Sequence, residues 1–317
     1  MLSFPSSNGP SAFYSLTSLV QITLPQSLIQ IGRSAFFGCR NLRDLSLPRK
    51  LFSINRWAFS GCDSLEYITI PDSVIVVESF AFEGCVNLKQ ITFGSNVLNI
   101  ASYVCDRCSH LEVVTFRNNP PNIGVSAFRD CKKLSEISIP TSVTEIESFA
   151  FSGASNLRKI NLPDGLTAIY EQAFNDCSSL KRIIIPPSIT RIGRAFEGCY
   201  DLHSLIFLGP APLWFPFNRM TDGTTVYIQS EHQDSFGGNS GEWFGFPVKI
   251  GNGPSTPPVR IHFPTVEGET YRMQNSTDFV NWSNYPFPIV GNSDNRYDRF
   301  VDPSSRAKIF YRLIRVE

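Results

Sequence analysis

Leu134-Ser135-Glu136-Ile137-Ser138-Ile139-Pro140-Thr141-Ser142-Val143-Thr144-Glu145-Ile146, leading on to Phe149-Ala150-Phe151, is the unit from which the chain is built. Ile137 and Ile139, two residues apart, project from one face of a strand. Pro140 has no N–H to donate and marks the strand's end. These landmarks return at a fixed interval. Cys39, Cys62, Cys85, Cys108 and Cys131 stand 23 residues apart, and the next steps fall on Ala154, Cys177 and, one residue early, Cys199. Three residues before these positions come Phe36, Phe59, Phe82, Cys105, Phe128, Phe151, Phe174 and Phe196; three residues after come Leu42, Leu65, Leu88, Leu111, Leu134, Leu157, Leu180 and Leu202. Phe13, Leu16 and Leu19 extend the pattern backward, giving nine registers.

One such unit cannot enclose its own apolar stripe, but stacked units bury it against each other and bring like residues into ladders. At about 4.8 Å per stacked strand, nine units make a rod about 40 Å long. Each ladder Phe is expected to contribute about 3–5 kcal/mol against truncation to Ala. Cys105 puts a small side chain in the Phe column, so its unit is the expected weak point. Gly94, Arg117 and Leu208 occupy the place of the post-strand Pro, where looser turns are expected.

The unit quoted above resembles the BspA-like class of leucine-rich repeat. So does Leu19-Val20-Gln21-Ile22-Thr23-Leu24-Pro25, running on to Ile31-Gly32 and Ala35-Phe36-Phe37-Gly38-Cys39. The resemblance spans about residues 11–208. It implies a leucine-rich-repeat solenoid: a curved stack with parallel strands on the concave side and short helical turns opposite. It also implies a bacterial or protist surface protein that contacts host or matrix proteins.

Composition narrows the function. Lys+Arg and Asp+Glu number 28 each, so the whole chain lacks the basic excess by which duplex-binding proteins neutralise phosphates. No run approaches the roughly 18 apolar residues of a spanning helix. Residues 1–10 lack the basic start and apolar stretch of a secretion signal, and no cap precedes the first unit. Both features lead us to expect an N-terminally truncated piece of a longer, exported protein.

Residues 1–208 are assigned to the repeats. Residues 209–250 lose the period but keep Trp214, Phe215, Phe217, Phe236, Trp243, Phe244 and Phe246. They are expected to cap the solenoid's open end, with a strand at Thr224-Thr225-Val226-Tyr227-Ile228; an aromatic carbohydrate site is the alternative. Residues 251–258 (Gly-Asn-Gly-Pro-Ser-Thr-Pro-Pro) read as a linker. Residues 259–317 alternate apolar and polar between turn signals, as in a small antiparallel β-sandwich. Their run from Tyr271 to Trp282, with Phe310-Tyr311-Arg312, resembles a β-rich tail of secreted bacterial proteins.

Chemistry-bearing residues are few. Cys105 and Cys108 make a C-x-x-C, but both sit at ladder positions, and neither has a second pair at zinc-site spacing. The eight cysteines read as free buried thiols, because stacked residues have parallel Cβ vectors about 4.8 Å apart while a disulfide needs about 3.8 Å with the vectors turned together. His110, His203, His232 and His262 are scattered, and no nucleophile or phosphate-cradling motif occurs. Asp294, Asp298 and Asp302 lack calcium-loop spacing and read as turn residues. Asn275-Ser276-Thr277 and Asn281-Trp282-Ser283 match the glycosylation pattern. No enzyme, cofactor or metal is expected.

The outward strand positions carry the functional expectation. One column reads Gln21, Asp44, Tyr67, Gln90, Val113, Glu136, Lys159, Arg182 and Ser204, varied in type and basic toward Lys159 and Arg182, with Arg158 and Lys181 beside them. The other is mostly Ser and Thr and suits a solvated sheet. Asp44, Tyr67, Gln90, Val113, Glu136, Lys159 and Arg182 are therefore the candidate partner contacts of a secreted or cell-surface module. Its partner would be an extracellular protein or glycan, and not nucleic acid. The rival expectation is a structural spacer whose C-terminal domain anchors the protein or binds carbohydrate.

Overall fold

A computed structural model of the chain describes residues 7–9, 11–117, 119–215, 223–238, 241–251 and 253, and six strands beyond them. The 23-residue units form successive coils of a solenoid, numbered here by their ladder leucines from Leu19 (coil one) to Leu202 (coil nine). Most coils contribute two short parallel strands; in coils four and nine the second is a single bridge, at Ile100 and Trp214. The first set runs Gln21–Ile22, Asp44–Leu45, Tyr67–Thr69, Gln90–Phe93, Val113–Phe116, Glu136–Ser138, Lys159–Asn161, Arg182–Ile185 and Ser204–Phe207. The pairings formed are in register one period apart, as in Tyr67 with Gln90 and Glu136 with Lys159. The second set lies about nine residues later in each coil and includes Ser53–Ile54, Val76–Val77, Glu145–Ile146 and Arg191–Ile192. This second ladder comes from a further apolar column (Ile31, Ile54, Val77, Ile100, Ile123, Ile146, Ile169, Ile192), buried throughout.

The remaining side is a hydrogen-bonded turn, with no α-helix among the described residues. Alternate N–H groups in it donate to the next coil: Ser34 to Arg56 O, Phe36 to Ala58 O, and Gly38 to Ser60 O at 2.8–2.9 Å. The turn needs two left-handed residues. Gly38, Gly61 and Gly84 fill one position at φ near +69°, where a Cβ is costly. Ser34, Trp57, Phe80 and Tyr103 fill the other at φ +54° to +64°. Aromatics are strained there; Arg33 and Arg56 lie 4.7 and 4.3 Å above the Trp57 ring, and the Phe80 and Tyr103 rings stack at 4.5 Å, which offsets part of the strain.

Inside, the Phe ladder stacks with centroids 5.0–5.7 Å apart and rings within 12° of parallel, from Phe13 through Phe82 and again from Phe128 through Phe196. At the Cys105 gap a different column supplies aromatic bulk. Phe93 and Phe116 stand in the column that holds Leu24, Leu47, Ile70, Ile139, Leu162 and Ile185 in other coils, stack at 5.6 Å, and Phe116 meets Phe128 edge-on. The ladder cysteines are free and buried. Each S–H donates to a carbonyl of the preceding coil, as in Cys62 to Phe36 O (3.2 Å) and Cys85 to Phe59 O (3.1 Å), so the thiol satisfies a buried acceptor as well as filling space.

The turns without Pro are not loose. The N–H groups of Arg117 and Leu208 donate to Phe93 O and Ile185 O, both at 3.0 Å, a bond that Pro could not make. Gly94 passes so close to Pro71 that any Cβ would overlap its carbonyl.

After coil nine, Thr225–Ile228 adds in parallel to Ser204–Phe207, and Phe246–Ile250 adds to Thr225–Ile228. Glu242–Trp243 pairs antiparallel with Phe246–Ile250. Phe207, Phe236 and Trp243 pack in mutual ring contact and are buried. In the tail, Val259–Pro264 pairs antiparallel with Arg296–Val301, and Thr270–Ser276 pairs antiparallel with Ser283–Asn284, Ile289–Val290 and Phe310–Arg315. Phe217, Asn252, residues 254–258, Thr277, Asn281, Trp282, Asp294 and Asp302 lie outside the described residues.

Candidate partner-binding face

The first strand set places Asp44, Tyr67, Gln90, Val113, Glu136, Lys159 and Arg182 in one outward column, all exposed. Alternation dictates this: Ile68, Ile91, Ile137, Ile160 and Ile183, one residue on, point into the core. Tyr67, Gln90 and Val113 are consecutive register partners, as are Glu136 and Lys159; Arg182 pairs with Ser204. Tyr67 is 58% exposed, with the Lys89 ammonium 5.8 Å from its ring centre. That ammonium donates to Glu66 Oε2 at 2.7 Å, and the bond raises the lysine pKa.

Three open grooves lie along this face. One of about 410 Å³ is bounded by Gln21, Asp44, Ser46 and Tyr67. A second, about 700 Å³, runs from Tyr67 past Thr69 to Arg49 and Arg117. The third, about 590 Å³, holds Val113, Lys133, Glu136, Lys159 and Asn161. Asp44, Tyr67, Val113, Glu136 and Lys159 thus line shallow, polar depressions, the first two of which meet at Tyr67, an arrangement that suits an extended ligand better than a small enclosed one.

Charge is divided along the column and the residues that precede it. Coils two to six carry Arg43 and Lys89 against Asp44, Glu66, Glu112 and Glu136; coils seven and eight carry Arg158, Lys159, Lys181 and Arg182. Beyond these the face closes. Ser204, Ile206 and Tyr227 are buried, and Gly253 sits against Ile206 and Tyr227, so the chain's own continuation covers the last strands. His203, only 6% exposed, has its pKa lowered to about 4 by burial, with Lys181 and Arg182 adding to the effect.

The pattern underlying this face matches a known family model, the BspA type leucine rich repeat region, in six copies over residues 6–132 and 99–210. The chain belongs to that family. A leucine-rich repeat protein from Bacteroides ovatus is similar to this BspA-type chain at 27% identity and TM-score 0.64, covering 77% of it; the chain spans 64% of that protein's length. A leucine rich cell surface protein from Faecalibacterium prausnitzii aligns at 22% identity and TM-score 0.38 over 79% of this chain and 84% of its own. The pneumococcal vaccine antigen PcpA aligns at 21% and 0.45 over 72% and 67%. A search of curated proteins finds no match.

Other positions in the BspA-type repeats behave structurally. Burial first, and then the neighbouring Cys108, raises the Cys105 thiol, the opposite of what a reactive cysteine needs. His110 is exposed, with Nδ1 2.8 Å from Val86 O. Trp243 is packed in the aromatic cluster, whereas Trp214 is exposed with Arg191 4.5 Å above its ring. Among the described residues no group of three or more His, Cys, Asp or Glu could hold a metal, and no helix is long and apolar enough to cross a membrane. Sequence reasoning missed the closing of the face over Ser204, Ile206 and Tyr227. The apolar Ile184 and Ile206 in an otherwise polar, mostly Ser/Thr column were the available signal.

Proposed function

We propose that this BspA-type chain is a non-catalytic binding module, secreted or displayed at the cell surface, that engages an extracellular protein or glycan through its first strand face. The observation that carries the proposal is the column from Asp44 to Arg182: seven unlike, exposed side chains at one coil spacing, mounted on strands whose backbone is fixed by bonds between coils. A rigid sheet presenting varied chemistry is how solenoids hold extended ligands. The packing of Gly253 against the buried Ile206 and Tyr227 supports it from within, since the same surface already receives another part of the chain. Residues 209–250 serve in this proposal as the terminal cap, 251–258 as a linker and 259–317 as a separate β-rich unit.

The test is binding of the full chain to a panel of immobilised matrix proteins and glycans, compared with Tyr67→Ala/Glu136→Ala/Lys159→Ala/Arg182→Ala at matched Tm. At least a ten-fold loss of affinity is expected. Retention of full affinity by the quadruple variant removes this face from consideration, and no binding by the wild type removes the module.

A further inference from the structure

We infer that the strand face of coils seven and eight is a docking site for a linear sulfated polysaccharide. The inference deepens, and rests on, the strand-face proposal above. Arg158 and Lys159 in one coil and Lys181 and Arg182 in the next form a two-by-two array of exposed cations. Arg158, Lys159 and Lys181 enter none of the ion pairs among the described residues, where Lys89, Arg129 and Arg194 are each matched to a carboxylate. The backbone beneath is firmly held. The N–H groups of Arg158 and Lys159 both donate to Ser135 O, and those of His203 and Ser204 both donate to Lys181 O. Burial first, and then Lys181 and Arg182, lowers the proton affinity of neighbouring His203, so the array's charge is felt at the adjoining side chain.

The array fits one class of polyanion. Its charges repeat at the coil pitch, about 4.8 Å, along the solenoid axis, so a chain with anionic groups on successive sugar rings can meet one coil after another. Sulfate stays ionised and accepts paired donors from Arg. The neighbouring groove adds Ser138, Asn161 and Glu136, whose hydroxyl, amide and carboxylate suit sugar hydroxyls. An acidic peptide adding as a strand would run parallel to Lys159–Asn161 and Arg182–Ile185, across the solenoid axis, and could not follow the array from one coil to the next. Nucleic acid lacks a stacking platform, since the aromatic of this column, Tyr67, is four coils away.

The experiment is calorimetric titration of the full chain with a heparin octasaccharide, a twenty-residue oligothymidylate and a poly-glutamate peptide. The octasaccharide should bind tightest, and its affinity should fall about 50-fold between 50 and 200 mM salt if four cations are neutralised. Arg158→Ser/Lys159→Ser/Lys181→Ser should weaken it at least ten-fold at unchanged Tm. Arg40→Ser/Lys50→Ser/Lys132→Ser, which removes equal charge elsewhere, should change it less than two-fold. Tighter binding of the oligonucleotide or peptide overturns the inference, as does an equal loss in the two triple variants. Lack of octasaccharide binding in a chain whose panel partner is lost on Tyr67→Ala/Glu136→Ala overturns this inference alone. Partner binding that survives both sets of replacements removes the strand face itself.

Discussion

Arg129 reaches back across one 23-residue step and donates Nε and Nη2 to the two carboxylate oxygens of Asp106, each at 2.7 Å, while the Asp106 side chain is 1% exposed. A carboxylate so enclosed depends on this paired contact more than on the exposed Arg107, whose Nε lies 3.9 Å away. Removing one member of a buried pair strands the other charge, whereas removing both can be nearly neutral. Arg129→Met should lower the unfolding free energy by about 3 kcal/mol. The double variant Asp106→Leu/Arg129→Met should lose much less, as read from urea denaturation. Equal losses would mean that the pair's coupling is negligible.

The gap at Cys105 is matched by bulk at Phe93 and Phe116. Restoring the aromatic with Cys105→Phe should therefore overpack the coil and cost about 1–3 kcal/mol. Combining it with Phe116→Ile should recover most of that. Phe59→Ala, in the uninterrupted ladder, should cost about 3–5 kcal/mol. The denaturant midpoints of the three variants rank these effects.

Gly84 and Gly153 fill the same left-handed position with different surroundings. A Cβ on Gly84 would meet nothing nearer than 3.8 Å, whereas one on Gly153 would overlap Asp130 Oδ1. Gly84→Ala should show only the conformational penalty, about 1–2 kcal/mol. Gly153→Ala should be distinctly worse, and Asp130→Gly should relieve the excess. Identical thermal shifts for the two single variants would contradict this account.

His203 makes stability depend on pH with a definite sign. Its folded pKa, about 4, lies below the ordinary value of 6.5, so the unfolded chain takes up a proton first as pH falls. The associated stability is complete above pH 6.5 and is progressively lost between pH 6.5 and 4. Urea midpoints at pH 7.5, 5.5 and 4.5 should decline, and His203→Gln should flatten the decline over that window.

The ladder thiols should be silent in the folded state. Burial raises the pKa of Cys39, Cys62, Cys85, Cys105, Cys131 and Cys177, and all eight cysteines are enclosed. A thiol-reactive dye at pH 8 should label none of the eight in native protein and all eight in 8 M urea. Rapid native labelling of any one would place it at the surface.

The regular part of this molecule was readable because one physical demand, burial against an identical neighbour, writes itself at every twenty-third residue. The Phe, Cys and Leu columns and the outward column from Asp44 to Arg182 follow from that demand. The second ladder through Ile31 and Ile146 keeps the same period, yet its two-residue strands offer no alternation to identify them. Trp57 and Phe80 gave no sign of left-handed backbone, since aromatic residues are poor at it and are held there by the stack around them. The exchange of Cys105 for Phe93 and Phe116 needed knowledge of which columns are neighbours. The cover over Ile206 depends on where Gly253 returns, a long-range fact with no local signature.

That return at Gly253 makes the exposed sheet a blind alley. A rod-like ligand lying along the axis and extended past Arg182 meets the chain itself at Ile206 and Tyr227, where Gly253 sits. Lengthening such a ligand should therefore gain contacts from one end alone, and its polarity on the protein should be single.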